Sequence, residues 1–148
     1  MTERVRVRVP VDEPEEDSIE TLWAVPVSPG VVRLDSIPLL AFGMSRNDTV
    51  EVRERAGALE LTAVLERGGH STYRVMLTPW REAEGESLLR EIVRTGCGYE
   101  SLSERFHAID VPHAVDVHAV YRVLQRGLKD QIWTFEEGHF GRESSSYA

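Results

Sequence analysis

The apolar residues of this chain change their period once, and that change limits the fold more than any other feature. Up to about residue 66 they recur at every second position, in short runs separated by Gly and Pro. From residue 72 onward such runs alternate with stretches in which apolar residues return every three to four positions. Period two is a strand with one buried face, and a period near 3.6 is a helix. The chain therefore reads as a β-rich half followed by a mixed half. The turn between them, Arg67-Gly68-Gly69-His70-Ser71-Thr72, carries the densest group of polar side chains.

In the first half, residues 4–11, 21–27, 31–37, 48–55 and 58–66 read as strands. Pro26 cannot donate to a ladder, which puts the second of these at an edge. Ser28-Pro29-Gly30 turns the chain into a hairpin. Residues 39–47 are apolar and then polar, which fits one helical turn or a loop that plugs a barrel. Five short strands with Gly and Pro turns point to a small antiparallel β-barrel or curled sheet.

In the second half, strands are expected over 72–77, 98–103, 105–111 and 132–139. Leu88, Leu89, Ile92 and Val93 place a helix over 87–95, stopped by Gly96. Val117, Val120, Leu124 and Leu128 form the stripe of a second helix to about residue 129, with Asp116 as its N-cap and Gly127 weakening its last turn. The order βαββαβ is that of a ferredoxin-like unit. The fold class is α+β: residues 1–69 a small β-rich half, 70–141 a ferredoxin-like half, and 142–148 a Ser-rich tail expected to be disordered. At 148 residues the chain buries roughly 70% of its unfolded surface and needs no staple.

Charge and cysteine usage narrow the partners. The net charge is -8, with no basic cluster, so nucleic acid is not an expected partner. An acidic chain suits a basic protein partner. The acidic run Glu13, Glu15, Glu16 and Asp17 reads as a solvated loop that could meet one. The one cysteine, Cys97, cannot form an internal disulfide, and as a turn thiol it reads as inert. No stretch has the length of a signal peptide core or a membrane span. The expected setting is the cytoplasm.

Few side chains suggest chemistry. His70 and Ser71 are adjacent, and consecutive strand residues face opposite ways, which denies Ser71 its base. Arg74 falls opposite Tyr73, Val75 and Leu77, so it is expected on the open face of the sheet. There it pairs with Glu136 or Glu137 from the last strand, as an ion pair or as an anion clamp. The five histidines show no ligand spacing, since His113 and His118 fall on different helix faces. Asn47-Asp48 reads as turn chemistry. Trp23, Trp80 and Trp133 read as core or interdomain packing. No phosphate loop is present, and neither metal nor cofactor is expected.

Several stretches together resemble a bacterial family common in actinomycetes, domain-of-unknown-function family 4265. They are Leu22-Trp23-Ala24-Val25-Pro26, Arg33-Leu34-Asp35-Ser36-Ile37-Pro38, Gly43 through Asn47-Asp48-Thr49-Val50, Gly69-His70-Ser71-Thr72-Tyr73-Arg74-Val75, and Trp133-Thr134-Phe135-Glu136-Glu137. Asn47-Asp48 stands where that family carries Gly-Asp. The resemblance runs from about Val5 to Gly141, implies a bacterial cytosolic protein of one architecture, and supplies no catalytic residues. It highlights His70, Ser71, Arg74, Glu136 and Glu137, the candidate ligand-binding set.

Two roles follow as expectations. The first is a non-catalytic binding or regulatory protein, inhibitor-like or immunity-like, acting on a protein partner. The second is a small-molecule or anion-binding domain, or modest hydrolase, with its site between the halves. There Arg74 would hold an anion and His70 or Glu136 would move protons. A homodimer through the sheet is a third arrangement.

Overall fold

The computed structural model describes residues 3–11 and 19–142. The expected acidic loop at 13–17 and the tail from 143 lie outside the described residues. The first half consists of β1 (Val5–Pro10), β2 (Ile19–Ser28), β3 (Val31–Leu34), β4 (Thr49–Arg55) and β5 (Ala58–Glu66). Antiparallel pairings run from β1 to β5 in order, and a short parallel pairing of β1 with β5 closes the ring. The strands alternate as their sequences demand. Val7, Leu22, Ala24, Val32, Val50 and Val52 turn inward as one apolar core.

Closure corrects one expectation. β2 is not an edge strand, because β1 and β3 flank it on either side. The N–H that Pro26 lacks falls beside a register shift between Pro26 and Ser28, where the ladder is already broken.

The segment between β3 and β4 forms no helix. Ala41 and Met44 enter the ring's core, so it is the plug rather than the helical turn. The carboxylate of Glu20, buried at the start of β2, accepts from the N–H groups of Leu39 (2.6 Å), Leu40 (3.0 Å) and Ala41 (2.9 Å). An inward carboxylate thus satisfies three backbone donors that a tight, non-helical segment would otherwise bury unpaired.

The second half runs β6 (Ser71–Leu77), α1 (Glu82–Arg94), β7 (Gly98–Ser101), β8 (Phe106–Val111), α2 (Val117–Lys129) and β9 (Trp133–His139). The sheet order is β7-β8-β6-β9, each pair antiparallel. Both helices share one core with one sheet face, built from Tyr73, Val75, Leu77, Leu89, Ile92, Ile109, Val120, Leu124 and Trp133.

Helix α1 begins five residues earlier than its apolar stripe indicates. Glu82 and Glu84 in its first turn suit the positive end of the helix dipole. Gly85 lets that turn lie against Leu77, where a Cβ would come within 2.2 Å of the leucine Cδ2. Asp116 caps α2 as expected, accepting from His118 N at 2.9 Å.

The expected open face of the sheet is closed over Thr72 and Arg74, while Met76 on the same face of β6 is exposed. Thr72 and Arg74 are buried against the plug, with 0% and 1% exposure. Nor are all three tryptophans packed. Trp133 is core, Trp23 is 37% exposed beneath the guanidiniums of Arg4 and Arg6, and Trp80 is 91% exposed. Among the described residues no helix is long and apolar enough to cross a membrane.

Candidate functional site

Strand β6 positions most of the candidate side chains, and its alternation separates them. Arg74 faces the ring. Its Nε donates to Glu136 Oε1 at 2.9 Å, and its Nη1 donates to the carbonyls of Ala41 (2.8 Å) and Pro38 (3.3 Å). Phe42 lies over it, 4.4 Å from guanidinium carbon to ring centroid. The pairing with Glu136 follows from the register Arg74↔Glu136. The plug, however, takes Nη1 and leaves the guanidinium 1% exposed, with Nη2 buried and without a hydrogen-bond partner among the described residues. Glu137, one residue on, faces the other way and accepts from Tyr73 OH at 3.2 Å.

His70 and Ser71 diverge as their adjacency predicts. Ser71 is buried, and its hydroxyl accepts from Gly141 N at 2.9 Å. His70 Nδ1 donates to Asp110 Oδ1 at 2.8 Å. Asp110, 1% exposed, extends the chain of charges to Arg46 (3.8 Å), which also meets Asp35 (3.1 Å). The structure thus brings together Arg74 with Glu136 and His70 with Asp110, but not the five candidates in one pocket.

Four further residues build this junction; the sequence reads Asp48 as turn chemistry and Thr72 as part of the polar hinge stretch, and gives no role to Ser45 or Asp110. Asp48, fully buried, accepts from Ser45 N (2.9 Å) and Gly68 N (2.8 Å) and meets Arg67 Nη1 at 3.2 Å. Thr72 and Ser45 join plug to sheet, hydroxyl to hydroxyl, at 2.6 Å. The fourth is Asp110. A signal existed for Asp110, a lone acid within the apolar run Ala108-Ile109-Asp110-Val111. The pairing of Ser45 with Thr72 carries none, because only the approach of the two halves brings them together.

Three concave regions flank the sheet, and two of them hold a histidine whose pKa is shifted. One, of about 760 Å³, lies at the hinge turn and is lined by Arg67, Gly68, Gly69, His113, His139 and Arg142 among others. Burial, with the Arg67 charge nearby, pushes the His139 pKa down. The other, of about 420 Å³, lies beside α1 and is lined by Glu82, Glu86, Glu104, Tyr99, Leu77 and His107. His107 is also lowered by burial, and its geometry suits the neutral ring: Nδ1 accepts from Ser101 Oγ (2.6 Å) and Nε2 donates to Glu104 O (3.1 Å). Burial raises the Cys97 thiol and the Glu100 carboxyl. Among the described residues, no three His, Cys, Asp or Glu side chains converge as a metal site.

One aromatic stands out beside the acidic region. Arg81 N donates to Thr78 O at 3.1 Å, closing a four-residue turn with Pro79 second and Trp80 third. Trp80 has φ +71°, which makes the turn type II, a form that favours Gly at that position.

No protein of curated function matches the chain. It is similar to a solved structure titled "Novel crystal structure of a hypothetical protein from Neisseria gonorrhoeae". The identity is 18%, over 97% of this chain and 98% of that one, with a TM-score of 0.78, a likeness of fold alone. Residues 20–135 match a family described as Domain of unknown function (DUF4265), and the chain belongs to that family.

Proposed function

We propose that this protein is a non-catalytic binding module for a basic protein partner, with Trp80 as the anchor of the contact. The observation that carries the reading is the strained, exposed indole. A bulky residue at positive φ costs about 1–2 kcal/mol, and Gly would serve this turn better. An indole held there with 91% of its surface in solvent does nothing for the core. Such a residue fits a contact anchor, since interface hot spots are rich in Trp. Exposed Glu86 follows it on α1 and, with Glu82 and Glu104, lines the acidic concavity, which also has Leu77 and Leu89 in its wall; Glu84 is paired with Arg81. A lysine or arginine of the partner suits that lining, with its stem on the leucines and its head among carboxylates.

On this reading the second half is a ferredoxin-like unit and the first a small barrel, supported by element order, antiparallel pairing and ring closure. A cytosolic setting fits the single, buried thiol.

The test is capture from the host's own cytosol by wild type, Trp80→Gly and Glu86→Lys. The reading expects a protein that binds wild type saturably, binds Glu86→Lys at least tenfold more weakly, and is lost with Trp80→Gly. Equal capture by Trp80→Gly overturns it. A dimer of this chain dispersed by Trp80→Gly also overturns it, and assigns the indole to self-association.

A second reading, a site that moves protons, draws on His70. Buried Asp110 fixes its Nδ1–H and leaves Nε2 as the basic nitrogen. It receives less support, because the Arg74 that would hold the substrate lies beneath the plug.

A further inference from the structure

The hinge cleft has an unusual lining for an acidic chain. Arg67, His113, His139 and Arg142 meet there, and no carboxylate is among the lining residues. Asp48 stands behind Arg67, sharing its charge at 3.2 Å. Arg142 is fixed from behind, its Nη2 donating to Val115 O at 2.8 Å and to Pro112 O at 3.3 Å. Its Nη1 donates to His113 O and to His113 Nδ1. That contact puts the His113 proton on Nε2, as a donor.

Buried polar groups are normally satisfied, and each exception needs a reason. Among the described residues three buried side-chain nitrogens lack a hydrogen-bond partner: Arg74 Nη2, His139 Nε2 and Arg142 Nε. Two of the three belong to residues of this one cleft. Cationic and donor groups held in place, with spare capacity and no acid among them, describe an anion site. Its volume lies within the range of small-molecule sites, about 300–1,000 Å³.

We propose that the hinge cleft binds a small phosphate-bearing anion, held by Arg67 with the fixed Arg142 charge behind it and His113 and His139 as flanking donors. Guanidinium groups match phosphate oxygens with paired donors. The site is separate from the Trp80 contact. Gly69 precedes β6 and Trp80 follows it, a separation of roughly 20 Å.

Isothermal titration calorimetry of the full chain with inorganic pyrophosphate, at matched ionic strength, tests this. The expected result is saturable one-to-one binding, weakened about tenfold in Arg67→Gln and in His139→Gln, the scale of one lost charge-assisted contact. Arg53→Gln, an exposed cation on β4, should bind as wild type does. Thermal melts identify any variant that fails to fold, and His139→Gln carries the test if Arg67→Gln does. Absence of saturable heat with wild type overturns the proposal. So does equal weakening in Arg53→Gln, which would mean general charge attraction. Binding of citrate without binding of pyrophosphate overturns the phosphate assignment.

Discussion

Arg74 and Trp80 occupy opposite extremes of exposure six residues apart, and each makes a prediction that its residue type alone would not. Arg74 is a buried cation whose carboxylate, Glu136, is half exposed. Removing the arginine leaves no buried charge, but it orphans two plug carbonyls. Arg74→Met should therefore cost about 2 kcal/mol in a urea titration. Glu136→Ala leaves the guanidinium buried with no counter-charge, and should cost more than the roughly 0–1 kcal/mol of an ordinary surface pair. For Trp80 the sign reverses. Trp80→Gly relieves the positive φ and should raise stability by about 1 kcal/mol, or about 3 °C in Tm, while removing the partner contact. A destabilised Trp80→Gly would mean that the indole packs after all.

At the scale of elements, α2 and β9 are fitted to each other through an absence. Gly127 lies in the last turns of α2, and a Cβ there would come within 2.3 Å of Trp133 Nε1. That nitrogen donates to Leu124 O at 3.0 Å. Helix propensity alone favours Gly127→Ala by about 1 kcal/mol. Overpacking against a buried indole costs about 1–3 kcal/mol and breaks the hydrogen bond. Gly127→Ala should thus lower the thermal midpoint, with a change in near-ultraviolet circular dichroism from Trp133. The plug between β3 and β4 shows the same dependence on neighbours. Its shape rests on Glu20 beneath it and on Thr72 and Arg74 above it.

Across the whole molecule, two separate apolar cores meet through a polar seam of Ser45, Asp48, Thr72, Arg74 and Asp110. Because the plug belongs to both sides, ring and sheet should unfold together, with coincident transitions by circular dichroism and tryptophan fluorescence. A separate ring transition would contradict this. Stability should also fall on acidification. His107 and His139 are both held below their ordinary 6.5 by burial, so the unfolded chain binds their protons more readily. Their contribution is complete above about 6.5 and is lost as pH drops below it. Arg67 lowers His139 further, while Asp48 and Glu137 oppose it. The urea midpoint should be lower at pH 5.5 than at pH 7.5, with a shallower dependence in His107→Gln.

Alternation and periodicity by themselves determined the element order, the mixture of strands with two helices, the Asp116 cap and the pairing of Arg74 with a glutamate of the last strand, since each follows from spacing within one strand or helix or from facing strands; the register of β6 with β9 chose Glu136 over Glu137. The early start of α1 was hidden because Gly85 reads as a breaker until Leu77 is seen against it. Only the tertiary structure decided that β2 is not an edge, that Arg74 is sealed and that Trp80 is bare. It alone decided that His70 meets Asp110. Each of these depends on which surfaces of the two halves meet, and that is settled by burial between residues dozens of positions apart.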